Sequence, residues 1–135
     1  MEDLERIDTM VNQDFWKGKK VFLTGHTGFK GSWLSLWLSS MGALVKGYAL
    51  EPETSPALFQ EAGISSLIEF EIGDIRDFET LSKSLNSFNT DILIHMAAQP
   101  LVRLSYKQPV ETYATNVMGQ VNLMEAARTC SNLKA

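Results

Sequence analysis

Three glycines spaced three residues apart, Gly25, Gly28 and Gly31, constrain the fold of this chain more than any other feature of its sequence. They follow the apolar run Lys20–Thr24, which is typical of a short buried strand, and they open a long stretch that is typical of a helix. In that setting the first glycine lets the backbone turn sharply, the second lets a pyrophosphate approach the chain, and the third lets the helix pack closely on the strand. The motif predicts a dinucleotide site at the start of the helix; a tight turn without a ligand is the alternative.

The predicted phosphate loop is a run of seven candidate cofactor-binding residues: Gly25, His26, Thr27, Gly28, Phe29, Lys30 and Gly31. The N–H groups of the first helical turn would bind the phosphates with the help of the helix dipole. His26 either reaches a phosphate or a ribose or braces the loop. For Lys30, a solvated side chain in the first turn is favoured over a phosphate ligand.

Short apolar runs alternate with longer amphipathic stretches along the chain. The predicted strands cover residues 20–24, 44–50, 68–72 and 91–96, and the predicted helices cover residues 28–41, 57–62, 77–88 and 109–129, with Asp77 as an N-cap. This alternation predicts an α/β fold of the Rossmann type, in which about four parallel strands carry helices on both faces and are joined by right-handed crossovers.

Two of the predicted helices carry distinctive apolar patterns. Helix 28–41 is apolar nearly all round, through Phe29, Trp33, Leu34, Trp37, Leu38 and Met41, and is expected to be largely buried. In helix 109–129 the apolar residues recur at spacings of 3, 4, 4 and 3, which is the period of one helical face. They are Val110, Tyr113, Val117, Val121 and Met124.

Composition excludes several classes of protein. The chain has 135 residues, 44% hydrophobic and 21% charged, which suits one soluble domain. The net charge of −4 offers no basic surface for nucleic acid. The single cysteine, Cys130, excludes an internal disulfide and is expected to be a structural thiol. Polar residues interrupt the apolar stretch 33–50, and the acidic start does not resemble a signal peptide, so we expect a cytoplasmic protein without a membrane span or a metal site.

The acid that usually holds the adenosine ribose at the end of the second strand is absent from its expected place. Ala49 and Leu50 occupy that place, and Glu51 lies just beyond. Glu51 either serves in this role or is a solvated loop carboxylate. Because no arginine lies nearby to hold a 2′-phosphate, the sequence favours NAD over NADP.

Five segments carry a resemblance to a known family: residues 24–38 (TGHTGFKGSWLSLWL), 47–50 (GYAL), 73–77 (GDIRD), 95–106 (HMAAQPLVRLSY) and 115–119 (TNVMG). Together they resemble the extended short-chain dehydrogenase/reductase family and, within it, the NAD-dependent 4,6-dehydratases that act on CDP-glucose in polysaccharide biosynthesis. The resemblance runs over residues 15–135, which would be the N-terminal part of an NAD-binding domain, and leaves residues 1–14 as an extension.

The resemblance implies roles for residues outside the glycine loop. Asp74 would accept a hydrogen bond from the adenine amino group, with Ile75 packed along the base. Ala97, Ala98 and Gln99 would line the cofactor between adenosine and nicotinamide. Arg103 and Ser105 would border the sugar-nucleotide pocket, and Asn116 would support the geometry of the site. From the residues alone, a turn-forming Asp74 and a surface Arg103 remain open alternatives.

The family's reaction oxidises the sugar at C4, removes water across C5–C6 and returns the hydride to C6, with a Tyr-x-x-x-Lys pair as the base. No such pair occurs here, because Pro52, Val110 and Val117 stand four residues after Tyr48, Tyr106 and Tyr113. We therefore expect this chain to be an N-terminal part that is inactive by itself and contains no catalytic residue. Its last residues, 132–135, would begin a fifth strand.

Further expectations follow from such an incomplete fold. The fourth strand should be unpaired on one side, the last helix should lack neighbours, and the isolated chain should be marginally stable or aggregation-prone. The resemblance also implies a homo-oligomeric full-length enzyme, with the last helix at a dimer interface. Two rival hypotheses remain: a non-catalytic dinucleotide-binding module, and a different epimerase or dehydratase that acts on GDP-mannose or dTDP-glucose.

Overall fold

The computed structural model describes residues 11–135, so most of the predicted extension at residues 1–14 lies outside the described residues. A short helix α1 (Gln13–Trp16) is capped by Asn12, whose side-chain oxygen accepts from the Asp14 N–H at 3.0 Å. The remaining regular elements alternate as β1 (Lys20–Thr24), α2 (Phe29–Ser40), β2 (Leu44–Ala49), α3 (Leu58–Glu61), a 3₁₀ turn (Ile64–Ser66), β3 (Glu69–Ile72), α4 (Phe78–Ser87), β4 (Ile92–His95), α5 (Val102–Lys107), α6 (Pro109–Tyr113), a π-helical segment (Ala114–Met118) and α7 (Gly119–Arg128).

The four strands form one parallel sheet in the order β3-β2-β1-β4, which confirms the predicted α/β Rossmann-type fold. Strand β1 lies at the centre, with Thr24 opposite Tyr48 of β2 and opposite His95 of β4. Because all four strands run in the same direction, their carboxyl ends meet at one edge of the sheet. Every segment predicted to contact a cofactor follows a strand at this edge.

Helices cover both faces of the sheet, as predicted. On one face, Val21, Leu23 and Val45 pack in a cluster with residues of α2, α3 and the 3₁₀ turn. On the other face, Phe22 and Tyr48 pack with residues of α4 and α7. The alternation of β1 side chains between the two clusters is the period of a strand buried on both sides.

The expectation that helix α2 is largely buried is wrong. Its three aromatic residues Phe29, Trp33 and Trp37 are 70%, 54% and 52% exposed. The buried face consists instead of small residues, since Gly31, Ser32 and Ser35 lie against the sheet together with Leu38. Small side chains let the helix axis approach the strands closely, and hydrophobicity alone does not mark such a face as buried.

As expected, β4 is an edge strand that pairs with β1 on one side and with no other strand among the described residues, although residues 134–135 bond to its beginning. The Leu93 N–H donates to the Ala135 carbonyl at 2.8 Å, and the Lys134 N–H donates to the Asp91 carbonyl at 2.8 Å. These two hydrogen bonds place residues 134–135 beside β4, at the position predicted for the start of a fifth strand. The predicted loop around Arg103 instead contains helix α5.

Helix 109–129 was predicted correctly, but its apolar face is turned away from the core. Val110, Tyr113, Val117, Val121 and Met124 are between 47% and 77% exposed, whereas Gly119, Leu123 and Ala126 are buried. The sheet therefore receives the opposite face of this helix. No helix among residues 11–135 is long and apolar enough to span a membrane.

Candidate functional site

The glycine loop has the backbone geometry that its spacing predicts. Gly25 has φ +80°, a conformation that L side chains rarely adopt, and a Cβ there would stand 2.8 Å from the Ala97 nitrogen. A Cβ on Gly31 would overlap the Gly25 carbonyl, so helix and turn touch at this point. Gly28 differs, because a Cβ there would meet only the Gly25 oxygen, at 3.4 Å. Protein packing therefore explains Gly25 and Gly31 but leaves open space over Gly28.

The space over Gly28 lies at the amino end of α2. Gly28 is the N-cap residue and has an extended backbone, and as a glycine it has no side chain that could cap the helix. The next three N–H groups, of Phe29, Lys30 and Gly31, belong to the first helical turn and have no intrahelical acceptor. These donors, together with the positive end of the helix dipole, form a site whose geometry suits an anionic phosphate. Lys30 is exposed beside it.

Thr27 connects this loop to the end of β2. Its hydroxyl donates to the Leu50 carbonyl at 2.8 Å, one residue before the exposed Glu51. Glu51 thus directly follows the peptide that the phosphate loop holds, near the place where a ribose-binding acid stands in related folds.

His26 is completely buried beneath the loop. Its ring packs at 5.3 Å from the Phe59 ring and 5.6 Å from the Phe70 ring, over the Cα of Gly47, where a side chain would collide with it. Neither ring nitrogen has a hydrogen-bond partner among the described residues. Burial therefore lowers the pKa of His26 to about 4, so the ring is neutral at physiological pH. This position matches the bracing alternative rather than contact with a phosphate.

Asp74 lies at the same edge of the sheet, just after β3, and its carboxylate is held by Arg76. The Arg76 guanidinium donates to Asp74 at 2.6 Å and 2.9 Å, and the Arg76 backbone N–H donates to it at 2.9 Å. The side-chain hydrogen bond from Arg76 is the main reason that the pKa of Asp74 is lowered, so the carboxylate is an ionised acceptor. Arg76 also contacts Glu111 of α6 at 2.5 Å.

Ile75 is placed differently from its neighbour. Its side chain is 4% exposed and packs among Tyr48, Leu81 and Leu123. The backbone of Ile75, rather than its side chain, therefore lies at the edge of the sheet. The Tyr48 hydroxyl donates to the Asp74 carbonyl at 3.3 Å. Burial raises the pKa of Tyr48 to about 12, with nearby Glu71 adding to the shift.

The start of the segment after β4 is held by the side chain of Thr24. Thr24, at the end of β1, accepts from the N–H groups of Met96 and Ala97 at 3.1 Å and 3.2 Å and lies 2.7 Å from Nδ1 of His95. The hydrogen of this last contact comes from the Thr24 hydroxyl or from Nδ1, according to the tautomer of His95. Burial lowers the pKa of His95, in agreement with a neutral ring.

Gln99 is fixed by Asn116, which lies in the π-helical segment. The Gln99 N–H donates to the Asn116 side-chain oxygen at 2.8 Å, and the Asn116 amide donates to the Gln99 carbonyl at 3.0 Å. The Gln99 amide in turn donates to the Thr112 hydroxyl at 3.0 Å. Ala98 beside it is exposed, so a small side chain borders the open edge of the sheet.

Comparison with known proteins shows where this arrangement belongs. The family model described as "GDP-mannose 4,6 dehydratase" matches residues 22–135. The chain belongs to the GDP-mannose 4,6-dehydratase family. Its curated relatives include the CDP-glucose 4,6-dehydratase of Salmonella typhimurium, 61% identical over 93% of this chain and 35% of that protein. They also include the UDP-glucose 4-epimerase of Halalkalibacterium halodurans, 34% identical over 78% of this chain and 30% of that protein.

Solved structures of the same fold agree with this family membership. The UDP-glucose 4-epimerase of Brucella ovis in complex with NAD matches 85% of this chain and 34% of its own length, with a TM-score of 0.71 and 25% identity. Pen from Bacillus thuringiensis matches 84% of this chain and 34% of its own, with a TM-score of 0.72 and 28% identity. The chain thus spans about a third of the length of these relatives.

Two residues that the family resemblance assigned to a substrate pocket lie on α5. Arg103 is exposed, and the Ser105 hydroxyl donates to the Val102 carbonyl at 2.6 Å within the same helix. They are separated in sequence from the glycine loop but follow β4 at the same edge of the sheet. Within residues 11–135, no cluster of His, Cys, Asp and Glu could hold a metal ion.

Several residues that shape the site were not predicted from the sequence. Arg76, Thr24 and Asn122 each contact a segment after another strand, through pairs separated by 35 to 73 positions. Of the three, Asn122 alone lies within a helix, where its place beside the buried Leu123 is a signal that it borders the core. The side-chain contacts themselves depend on how the elements pack.

Proposed function

We propose that this chain binds NAD and forms the NAD-binding N-terminal part of a CDP-glucose 4,6-dehydratase. One observation carries the proposal: the open amino end of α2, the ionised Asp74 and the clamped Gln99 all lie at the carboxyl edge of one parallel sheet. In open α/β sheets this edge is where dinucleotides bind. The NAD complex of the Brucella ovis epimerase, which has the same fold, supports the choice of ligand.

The residues present fit the parts of NAD. The N–H groups of Phe29, Lys30 and Gly31 would hold the pyrophosphate, for which Gly28 leaves room. Asp74 accepts the adenine amino hydrogen, and the backbone of Ile75 lies beside the base. Glu51, which follows the Leu50 carbonyl held by Thr27, would be the acid at the adenosine ribose. Ala97, Ala98 and Gln99 line the path toward the nicotinamide, where the small alanines leave room for the cofactor.

In the whole enzyme, the cofactor and the residues of this chain would have different roles. Bound NAD supplies hydride transfer from and back to the sugar. This chain orients the dinucleotide, through the loop at one end and the Asn116–Gln99 clamp at the other. The Tyr-x-x-x-Lys base does not occur in the chain, so we expect the isolated chain to bind NAD without converting a sugar nucleotide.

The proposed substrate is CDP-glucose, converted to CDP-4-keto-6-deoxyglucose for polysaccharide biosynthesis in the cytoplasm. What supports this choice is the difference in identity: 61% to the Salmonella CDP-glucose enzyme against 28% to the GDP-mannose 4,6-dehydratase of Vibrio cholerae and 31% to the dTDP-D-glucose 4,6-dehydratase of Dictyostelium discoideum. Arg103 and Ser105 would border the sugar-nucleotide pocket.

An assay of the full-length protein tests the substrate. With NAD present, CDP-glucose, GDP-mannose and dTDP-glucose are supplied separately, and formation of the 4-keto product is followed by its absorbance in alkali. Turnover of CDP-glucose alone supports the proposal. Turnover of another sugar nucleotide in its place would assign the chain to a different dehydratase, and NAD binding without turnover of any of them would indicate a binding module.

The full-length enzyme is proposed to be a homo-oligomer that contacts a second copy through the exposed face of the last helix. The apolar residues Val110, Tyr113, Val117, Val121 and Met124 support this, because a contiguous exposed apolar strip on one helix is typical of a protein interface. Sedimentation of the full-length protein, with and without Val117→Lys, tests it: the substitution should dissociate the oligomer.

A further inference from the structure

We propose that Asn122 is a positioning residue for the adenine half of the site. The inference rests on the proposed function, because it assigns Asn122 a role in how Asp74 recognises the adenine amino group. Asn122 lies in the middle of α7 and does not itself reach the edge of the sheet where the ligand would bind. It acts on the peptide backbone that follows Asp74.

The contact is a pair of hydrogen bonds from one amide group. The Asn122 Nδ2 donates to the Ile75 carbonyl at 3.1 Å and to the Arg76 carbonyl at 3.0 Å. The amide nitrogen carries two hydrogens, enough to serve these two consecutive carbonyls. The pair fixes the orientation of the two peptide groups that follow Ile75 and Arg76, and an amide side chain with two hydrogens is well suited to do this.

Helix α7 is a firm support for this amide. Leu123, the next residue, is 1% exposed and belongs to the same apolar cluster as Ile75. One turn earlier, a Cβ on Gly119 would stand 2.7 Å from Cγ1 of Ile75, so the helix backbone presses directly on that side chain. The side chain of Ile75 and its carbonyl are thus held by the same helix, and residues 75 and 76 cannot rotate independently of it.

Arg76 carries the constraint to Asp74. Its backbone N–H and its guanidinium both donate to the Asp74 carboxylate, and the guanidinium also contacts Glu111. Because Asn122 holds the Arg76 carbonyl, it sets the position of the residue that orients the carboxylate. A charge-assisted acceptor discriminates between ligands only when its direction is fixed. The adenine preference of the site therefore depends on Asn122.

The test compares two dinucleotides on the same chain. Calorimetry measures binding of NAD and of nicotinamide hypoxanthine dinucleotide, in which an oxygen replaces the 6-amino group. Wild type should prefer NAD by on the order of tenfold, the value of one hydrogen bond to a charged group. Asn122→Leu lacks both donors, and its preference should fall toward unity. A purely structural loss would weaken both ligands equally and leave their ratio unchanged.

A matched control uses Asn86, whose Nδ2 donates to the Ser82 carbonyl at 2.8 Å on the exposed side of α4. Asn86→Leu removes a comparable helical amide and should keep the wild-type ratio. Should Asn122→Leu not fold, Asn122→Ser, which retains a single shorter donor, should give a reduced ratio. An unchanged ratio in the folded Asn122 variant overturns the inference. Wild type that binds both dinucleotides equally overturns it while leaving NAD binding intact, and wild type that binds neither overturns the proposed function as well.

Discussion

Asn116 and Gln99 are joined by two hydrogen bonds in which the Asn116 side chain both accepts from the Gln99 N–H, at 2.8 Å, and donates to the Gln99 carbonyl, at 3.0 Å. A side-chain amide that satisfies both backbone groups of one residue acts as a clamp across 17 positions of sequence. It fixes the segment after β4 to the last helix, and Ala97 and Ala98 precede the clamped residue directly.

Breaking this clamp should loosen the segment without unfolding the sheet. Asn116→Leu leaves the N–H and the carbonyl of Gln99 without their partner, which we expect to destabilise the chain by about 1–3 kcal/mol and to weaken NAD binding severalfold. Urea unfolding and calorimetry measure the two effects. Asn132→Leu, at an exposed position outside the regular elements, serves as the control. Unchanged NAD affinity in a folded Asn116 variant would show that the clamp has no part in the site.

The glycine loop offers a matched pair of substitutions. At Gly31 a Cβ would overlap the Gly25 carbonyl, so Gly31→Ala should destabilise the fold by about 1–3 kcal/mol or more, as overpacked sites do. At Gly28 the nearest atom to a Cβ is 3.4 Å away, so Gly28→Ala should melt close to wild type yet bind NAD at least about tenfold more weakly, since the methyl group fills the space of the pyrophosphate. Thermal melts and calorimetry distinguish the two. Equal NAD affinity in Gly28→Ala and wild type would show that the pyrophosphate of NAD does not bind at this position.

His26 should make stability depend on pH. Its folded pKa of about 4 lies below the ordinary value near 6.5, so the unfolded chain takes up the proton first. The stability contributed by the neutral ring is complete above pH 6.5 and is lost as the pH falls from about 6.5 toward about 4, by up to about 3 kcal/mol for this shift. Urea unfolding of wild type and His26→Leu across this window measures the difference, in which the carboxylates and His95 cancel. Parallel curves for the two proteins would contradict the burial of His26.

Helix α2 provides a direct check of which side faces the core. Leu38 is 1% exposed and Trp37 beside it is 52% exposed. Leu38→Ala should therefore destabilise the chain by about 2–5 kcal/mol, whereas Trp37→Gln should change its stability by less than about 1 kcal/mol. Denaturant unfolding compares the two variants. A larger loss from the tryptophan than from the leucine would reverse the assignment of the two faces.

The sheet could be predicted from sequence because β1, β2 and β4 are short, mainly apolar runs and β3 alternates glutamate with apolar residues, and both patterns depend on near neighbours only. Asp77 was recognised as a cap for the same reason, and its side chain accepts from the Thr80 N–H as a cap should. The glycine loop was accessible because its spacing reports backbone geometry.

What could not be predicted depends on the packing of distant elements. Helix α2 carries aromatic residues on its exposed side because its small residues are needed against the strands. A prediction based on hydrophobicity places the aromatic residues in the core instead. His26 looks like a ligand in a phosphate loop, yet Gly47, on another strand, opens a pocket that takes up its ring. The Asn122 and Arg76 contacts join segments that only the folded chain brings together.

The central claim is that this chain alone forms a working dinucleotide site, and titration of the folded chain with NAD by calorimetry tests it most directly. Circular dichroism first establishes that the chain is folded. We predict saturable heat at one NAD per chain in wild type and strongly reduced affinity in Gly28→Ala. A folded wild-type chain that gives no heat of binding, with NAD undetected by equilibrium dialysis as well, would contradict the account.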